Sequence, residues 1–301
     1  MSVASWIPTL FAGYAALAIT FYAMSLVVPR AAFAARVMAY YGCLLLAATY
    51  GIFVSLALTL AGRQGVSQWA VGRAFDRMMN WAAGVYFVVD DPAGHLDSVR
   101  PAVFVGNHQT ELDLQMLGAM FPKWCSVTAK ASLKRVPVLG WFMTLSGAVF
   151  VDRKNSKDAR EAMRGAAEEI RKRRQSVYLF PEGTRSYAKD PTLLPFKKGA
   201  FHLAVEAQVP IVPVVVANYS HILYIKGLTF NAGKVPIKVM DPIPTKGLTS
   251  ADVDELTRTT RDAMLRELHA LSEKAQGRPM PVPAQPAKAT TTGMDTTVGS
   301  L

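Results

Sequence analysis

Between Met1 and Pro29 the chain carries no charged side chain, and Val37–Gly62 is a second uncharged stretch, bounded by Arg36 and Arg63. Each reaches the ~20 apolar residues an α-helix needs to cross hydrocarbon, and Trp6–Val28 alone is long enough in the first. Pro29 and Arg30 break the chain between them. The economical reading is a transmembrane or membrane-embedded helical hairpin over residues 1–65, with a buried core helix as the competing reading for each stretch. No positive charge precedes the first apolar run, unlike a cleaved secretory signal. Arginines lie in the connection (Arg30, Arg36) and after the second stretch (Arg63, Arg73, Arg77), so the positive-inside rule favours a cytoplasmic main domain. Hydropathy leaves spanning and insertion into one leaflet both open.

The 301 residues bear 33 Lys and Arg against 22 Asp and Glu, a formal net charge of +11. Such a balance suits nucleic acid, anionic membrane surfaces or phosphorylated small molecules. The apolar start selects the last two, and no nucleic-acid-binding module is present. Cys43 and Cys125 show no CxxC or Cys/His spacing, which argues against a disulfide framework or structural zinc.

After the hairpin, Trp69–Trp81 reads either as an amphipathic helix at the membrane surface or as a domain helix packed on a sheet. Strands are expected at Val85–Val89, Ala102–Val105, Val127–Ala129, Ala148–Val151, Val177–Phe180, Ile211–Val216 and Val235–Met240. The last is an edge strand by virtue of Pro236. Val177–Phe180 and Ile211–Val216 are nearly all apolar, as strands covered on both faces are. Helices are expected after Asn107–Thr110 up to Pro122, over Ser156–Arg174, where Ser156 caps and cations crowd the last turn, and over Val253–Leu271. The fold class is α/β, a mixed sheet flanked by helices over residues 66–275. Residues 276–301, rich in Pro, Ala and Thr, form a disordered tail.

Two constellations carry chemistry. His108 and Asp113 lie five positions apart, roughly 500° within one regular helix, so they cannot share its face. They meet only if His108 precedes the helix and Asp113 reaches back from its first turns. A carboxylate so placed fixes the tautomer of a basic imidazole. No GxSxG elbow supplies a protein nucleophile, so the attacking group belongs to a substrate, a hydroxyl for example. The second constellation is Phe180-Pro181-Glu182-Gly183-Thr184-Arg185-Ser186, a strand followed by a tight turn whose amides could face an anion, with Arg185 as a planar fork for phosphate. Lys130, Lys134, Asp152, Arg153, Lys197 and Lys198 lie at strand ends or before a helix, on the expected edge of the same sheet.

These blocks resemble the glycerolipid acyltransferases, specifically the 1-acyl-sn-glycerol-3-phosphate acyltransferases, and most closely their fungal branch. The resemblance rests on Gly106-Asn107-His108 with Asp113, Phe150-Val151-Asp152-Arg153, Phe180–Ser186 and Val209–Val214, and covers about Gly84–Asp241. It implies His108 as general base with Asp113 as partner, and Arg185 on the acceptor phosphate with Lys130 as second cation. Glu182, Gly183 and Thr184 would shape the acceptor site, with Asp152 and Arg153 also assigned to acceptor binding. The implied reaction moves an acyl chain from acyl-CoA to the sn-2 hydroxyl of lysophosphatidic acid, with no cofactor or metal required. Membrane lipids would be partners and nucleic acid would not. The resemblance implies a membrane location, in the endoplasmic reticulum or on lipid droplets, or in the inner membrane of a bacterial source. Glycerol-3-phosphate or a lysophospholipid with a headgroup are alternative acceptors. A membrane-tethered thioester hydrolase and a non-catalytic lipid-binding protein are the alternative classes.

Overall fold

The computed structural model describes residues 3–151, 165, 167–168 and 170–280. The chain starts with α1 (Val3–Met24) and α2 (Pro29–Leu60), then α3 (Ser67–Ala83). The alternation that follows is β1 (Val85–Asp90), a single-turn α4 (His95–Ser98), β2 (Val103–Gly106), α5 (Asp113–Met120), β3 (Cys125–Lys130), α6 (Leu139–Leu145), β4 (Val149–Val151) and β5 (Ser176–Leu179). Then come α7 (Gly199–Ala207), β6 (Ile211–Val216), the hairpin β7 (Leu223–Tyr224) and β8 (Thr229–Phe230), β9 (Gly233–Val239) and α8 (Val253–Gln276). The expected helix Ser156–Arg174 lies largely outside the described residues, although 170–173 are helical and Ile170 is fully buried.

Seven strands form one mixed sheet in the order β1-β9-β6-β2-β5-β3-β4. β6, β2, β5, β3 and β4 run parallel, and β9 pairs antiparallel to β6 and parallel to β1. Side-chain alternation builds two cores. Val103 and Val105 of β2 face one core with α7 and α8, while Phe104 faces the other with α3 and α5. β2, β5 and β6 are buried throughout, which is why their sequences are apolar without alternation.

Three expectations need correction. β9 is not an edge strand: it lies between β1 and β6. Pro236 is tolerated because it sits just past the β6–β9 ladder, where its carbonyl accepts from Ala217 N at 3.1 Å and the Ala217 carbonyl takes Gln109 Nε2 at 3.0 Å instead. Arg36 is not in the interhelical connection. α2 begins at Pro29, which suits a first helical position, and Arg36 ties α2 to the domain through the carbonyls of Ala83 (3.3 Å) and Phe230 (2.8 Å). The chain also stays packed past Gln276: that side chain donates to the Asn218 carbonyl and Met280 is buried. The tail beyond 280 lies outside the described residues.

Arg30–Leu60 is long and apolar enough to cross a membrane by length and composition. One face of α2 nevertheless joins the domain core, with Tyr40, Cys43 and Ala47 buried against α3. Phe53, Leu56 and Leu60 point outward and are exposed. α3 is a domain helix, with Val71, Phe75 and Met79 buried, although Trp81 stays 91% exposed.

Candidate active site

The C-terminal ends of the parallel strands share one sheet edge, and each delivers a loop to it. β2 ends at Gly106, where the absent Cβ leaves room for the Tyr178 hydroxyl. Asn107 does not cap a helix. It extends the β2–β6 pairing, its side chain exchanging hydrogen bonds with Val216 N (2.9 Å) and O (3.0 Å). That bridge fixes the residue immediately before His108.

His108 lies ahead of α5, and Asp113 is the first residue of α5 and reaches back. His108 Nδ1 and Asp113 Oδ2 are 2.7 Å apart. Asp113 is 1% exposed. Its Oδ2 also accepts from Gln109 N (2.6 Å) and Thr110 N (3.2 Å), and its Oδ1 from the Tyr219 hydroxyl (2.7 Å). A buried carboxylate needs such donors, and here they fix its direction as well. Burial, first, and the Asp113 charge, second, push the Tyr219 phenol far above its usual range, so it remains a donor. The His108 ring stacks on Phe180, centroids 4.0 Å apart and 15° between planes. With Nδ1 engaged and one face covered, Nε2 is the nitrogen left for substrate. Among the described residues no hydroxyl or thiol hydrogen-bonds this ring.

The turn after β5 docks on this loop. Gly183, at φ +71°, closes the turn through a bond from its amide to the Phe180 carbonyl (3.0 Å). Ser186 N donates to the His108 carbonyl (2.9 Å) and Tyr187 N to the Gln109 carbonyl (3.1 Å). The amides of Ser186 and Tyr187 thus join the two motifs. The Glu182 side chain points away from solvent, 3% exposed. Its buried carboxylate accepts from His108 N (2.7 Å) and Leu194 N (2.9 Å). Desolvation pushes its pKa up to about 7 against the lowering effect of those two amides.

Arg185 stands at the mouth. Its Nη1 donates to Glu111 Oε1 (2.8 Å) and to the Tyr187 hydroxyl (3.2 Å), and Tyr187 in turn donates to the same Glu111 oxygen (2.8 Å). Burial opposes its charge, but Tyr187 and Glu111 outweigh that, and the guanidinium pKa is raised. Thr184 is exposed beside it, and Lys197 lies over Gly183, within 2.9 Å of where a Cβ would stand. Lys130 is exposed at the end of β3, on the same edge but two strands from β2. Asp152 and Arg153 lie outside the described residues. Residues missed from the sequence are Glu111, Tyr187, Tyr219 and Tyr40, whose hydroxyl holds the Glu111 carbonyl at 2.9 Å. Glu111 was within reach, since it sits inside the His108–Asp113 spacing; the tyrosines carry no local signal.

On the α3–α5 side of the sheet an apolar cavity of about 120 Å³ opens among α2, α3, α5 and α6. Leu114, the residue after Asp113, lines it with Leu44, Phe75, Leu117 and Phe142.

A buried acid orienting a histidine, with a loop-borne arginine beside it on an α/β sheet, makes a site suited to general-base chemistry; the class is that of an acyltransferase, since the family model described as Acyltransferase matches residues 93–217. The chain is 42% identical over 219 residues to the 1-acyl-sn-glycerol-3-phosphate acyltransferase of Saccharomyces cerevisiae, covering 73% of this chain and 72% of that one. It is 37% identical over 246 residues to the human 1-acyl-sn-glycerol-3-phosphate acyltransferase beta, covering 82% and 87%. The chain belongs to the 1-acyl-sn-glycerol-3-phosphate acyltransferase family. Its fold matches the crystal structure of the 1-acyl-sn-glycerophosphate (LPA) acyltransferase from Thermotoga maritima, with a TM-score of 0.60 at 24% identity over 85% of this chain and 94% of that one.

Proposed function

We infer that this protein transfers an acyl chain from acyl-CoA to the sn-2 hydroxyl of 1-acyl-sn-glycerol-3-phosphate, yielding phosphatidic acid at a membrane. The 2.7 Å His108–Asp113 contact, on a loop hydrogen-bonded to the Arg185 turn, carries the reading. Arg185 anchors the acceptor phosphate. His108 Nε2 takes the hydroxyl proton as that oxygen attacks the thioester carbonyl, and Asp113 stabilises the imidazolium. Collapse of the tetrahedral species breaks the C–S bond, and the departing coenzyme A thiolate recovers the proton. The amides of His108, Gln109 and Thr110 are already engaged by Glu182 and Asp113, so the oxyanion is left to other backbone amides or to the Lys130 ammonium. The apolar cavity beside Leu114 suits acyl methylenes. The exposed face of α2 holds the domain at the bilayer, which we place in the endoplasmic reticulum on the strength of the fungal likeness.

The test is acceptor profiling with purified protein and acyl-CoA. Lysophosphatidic acid should give the highest kcat/KM, and coenzyme A release should collapse when acceptor is omitted. Preference for glycerol-3-phosphate or a headgroup-bearing lysophospholipid would reassign the acceptor. Undiminished release without acceptor would make the protein a hydrolase.

A further inference from the structure

We propose that Glu111 is a positioning residue for acceptor binding: it orients the Arg185 guanidinium so that the Nε–Nη2 edge faces the acceptor phosphate. The proposal deepens the reading of Arg185 as phosphate anchor and rests on it. The backbone around Arg185 is already fixed, because Ser186 N and Tyr187 N are tied to the His108 and Gln109 carbonyls. What remains free is the long side chain, and Glu111 restrains it through a single nitrogen, Nη1, at 2.8 Å. Among the described residues neither Nε nor Nη2 has a partner, so the fork that matches two phosphate oxygens is left open.

Glu111 is itself held from both ends. The Tyr40 hydroxyl of α2 binds its carbonyl, and the Tyr187 hydroxyl binds the same carboxylate oxygen that receives Arg185. Its other oxygen, Oε2, is buried with no hydrogen-bond partner among the described residues. A half-satisfied carboxylate of 22% exposure is a poor choice for stability alone. Its place between His108 and Asp113 makes sense if it sets the spacing from base to phosphate anchor. An acceptor whose phosphate and hydroxyl are a fixed few bonds apart needs that spacing defined.

The experiment is steady-state kinetics of the full-length protein in mixed micelles, with lysophosphatidic acid varied at saturating acyl-CoA. Glu111→Ala should raise the acceptor KM about tenfold, the order expected when an arginine regains its rotamer freedom, with kcat falling no more than about twofold. Glu111→Gln keeps an oxygen for Nη1 and should return KM to within about threefold of the wild type. In an Arg185→Ala background, Glu111→Ala should change KM no further. An unchanged or lowered KM in Glu111→Ala, a loss confined to kcat, or a full KM effect without Arg185 would each overturn the assignment. An Arg185→Ala variant with wild-type KM would instead overturn the phosphate-anchor reading beneath it.

Discussion

At the scale of single residues, the site shows how much a buried carboxylate depends on its donors. Asp113 collects an imidazole, two amides and a phenol, so its direction is fixed before substrate arrives. Arg185 is partly open, and replacing its planar fork by a point charge should cost acceptor affinity rather than chemistry. Arg185→Lys is expected to raise the lysophosphatidic acid KM about tenfold, with kcat reduced far less, measured by initial rates. Glu182 gives a pH signature. Its folded pKa of about 7 lies above the ordinary 4.5, so folding favours the neutral form. Its contribution to stability is therefore full below about pH 4.5 and lost as pH rises through about 7. The midpoint of thermal unfolding of the wild type, minus that of Glu182→Gln, should fall as pH rises from about 5 to about 8. A difference that grows with pH would contradict the burial argument.

At the scale of elements, α5 is positioned by a close approach to α3. A Cβ on Gly118 would overlap the Gly72 carbonyl, and the Cβ of Asp76 lies 3.0 Å away. Gly118→Ala should destabilise by about 1–3 kcal/mol, read by thermal or denaturant unfolding, and should lower kcat because α5 carries Asp113 at its first position. Most elements were legible in advance for a simple reason. Strands buried on both faces are short apolar runs, and Ile211–Val216 is found at the expected bounds. The His108–Asp113 geometry was legible as well, because the 3.6-residue period forbids the only alternative. Pro236 misled, since the rule that bars proline from interior strands assumes a ladder partner, and here Gln109 replaces it. Tyr219 and Tyr40 could not be read from local sequence. They reach the site across 106 and 71 positions, and only the fold brings them there.

At the scale of the whole molecule, the long apolar helix α2 and the loop that carries His108 are one structure. α2 is exposed along Phe53, Leu56 and Leu60, yet Tyr40 on the same helix touches Glu111. In the proposed function this contact would register the domain against the bilayer, and the +11 net charge favours anionic headgroups and a phosphorylated acyl donor alike. Direct attack by the lipid hydroxyl also implies that both substrates are bound together. Double-reciprocal plots with both substrates varied should intersect, and parallel lines would reveal an acyl-enzyme.

An imidazole at position 108 that removes the proton from a lipid alcohol is the claim on which the rest depends. Phosphatidic acid formation by His108→Ala, compared with wild type at saturating substrates and matched unfolding midpoints, tests it most directly. A loss of about 10²–10⁴-fold or more with the midpoint unchanged is expected. Turnover within a few-fold of wild type would contradict it.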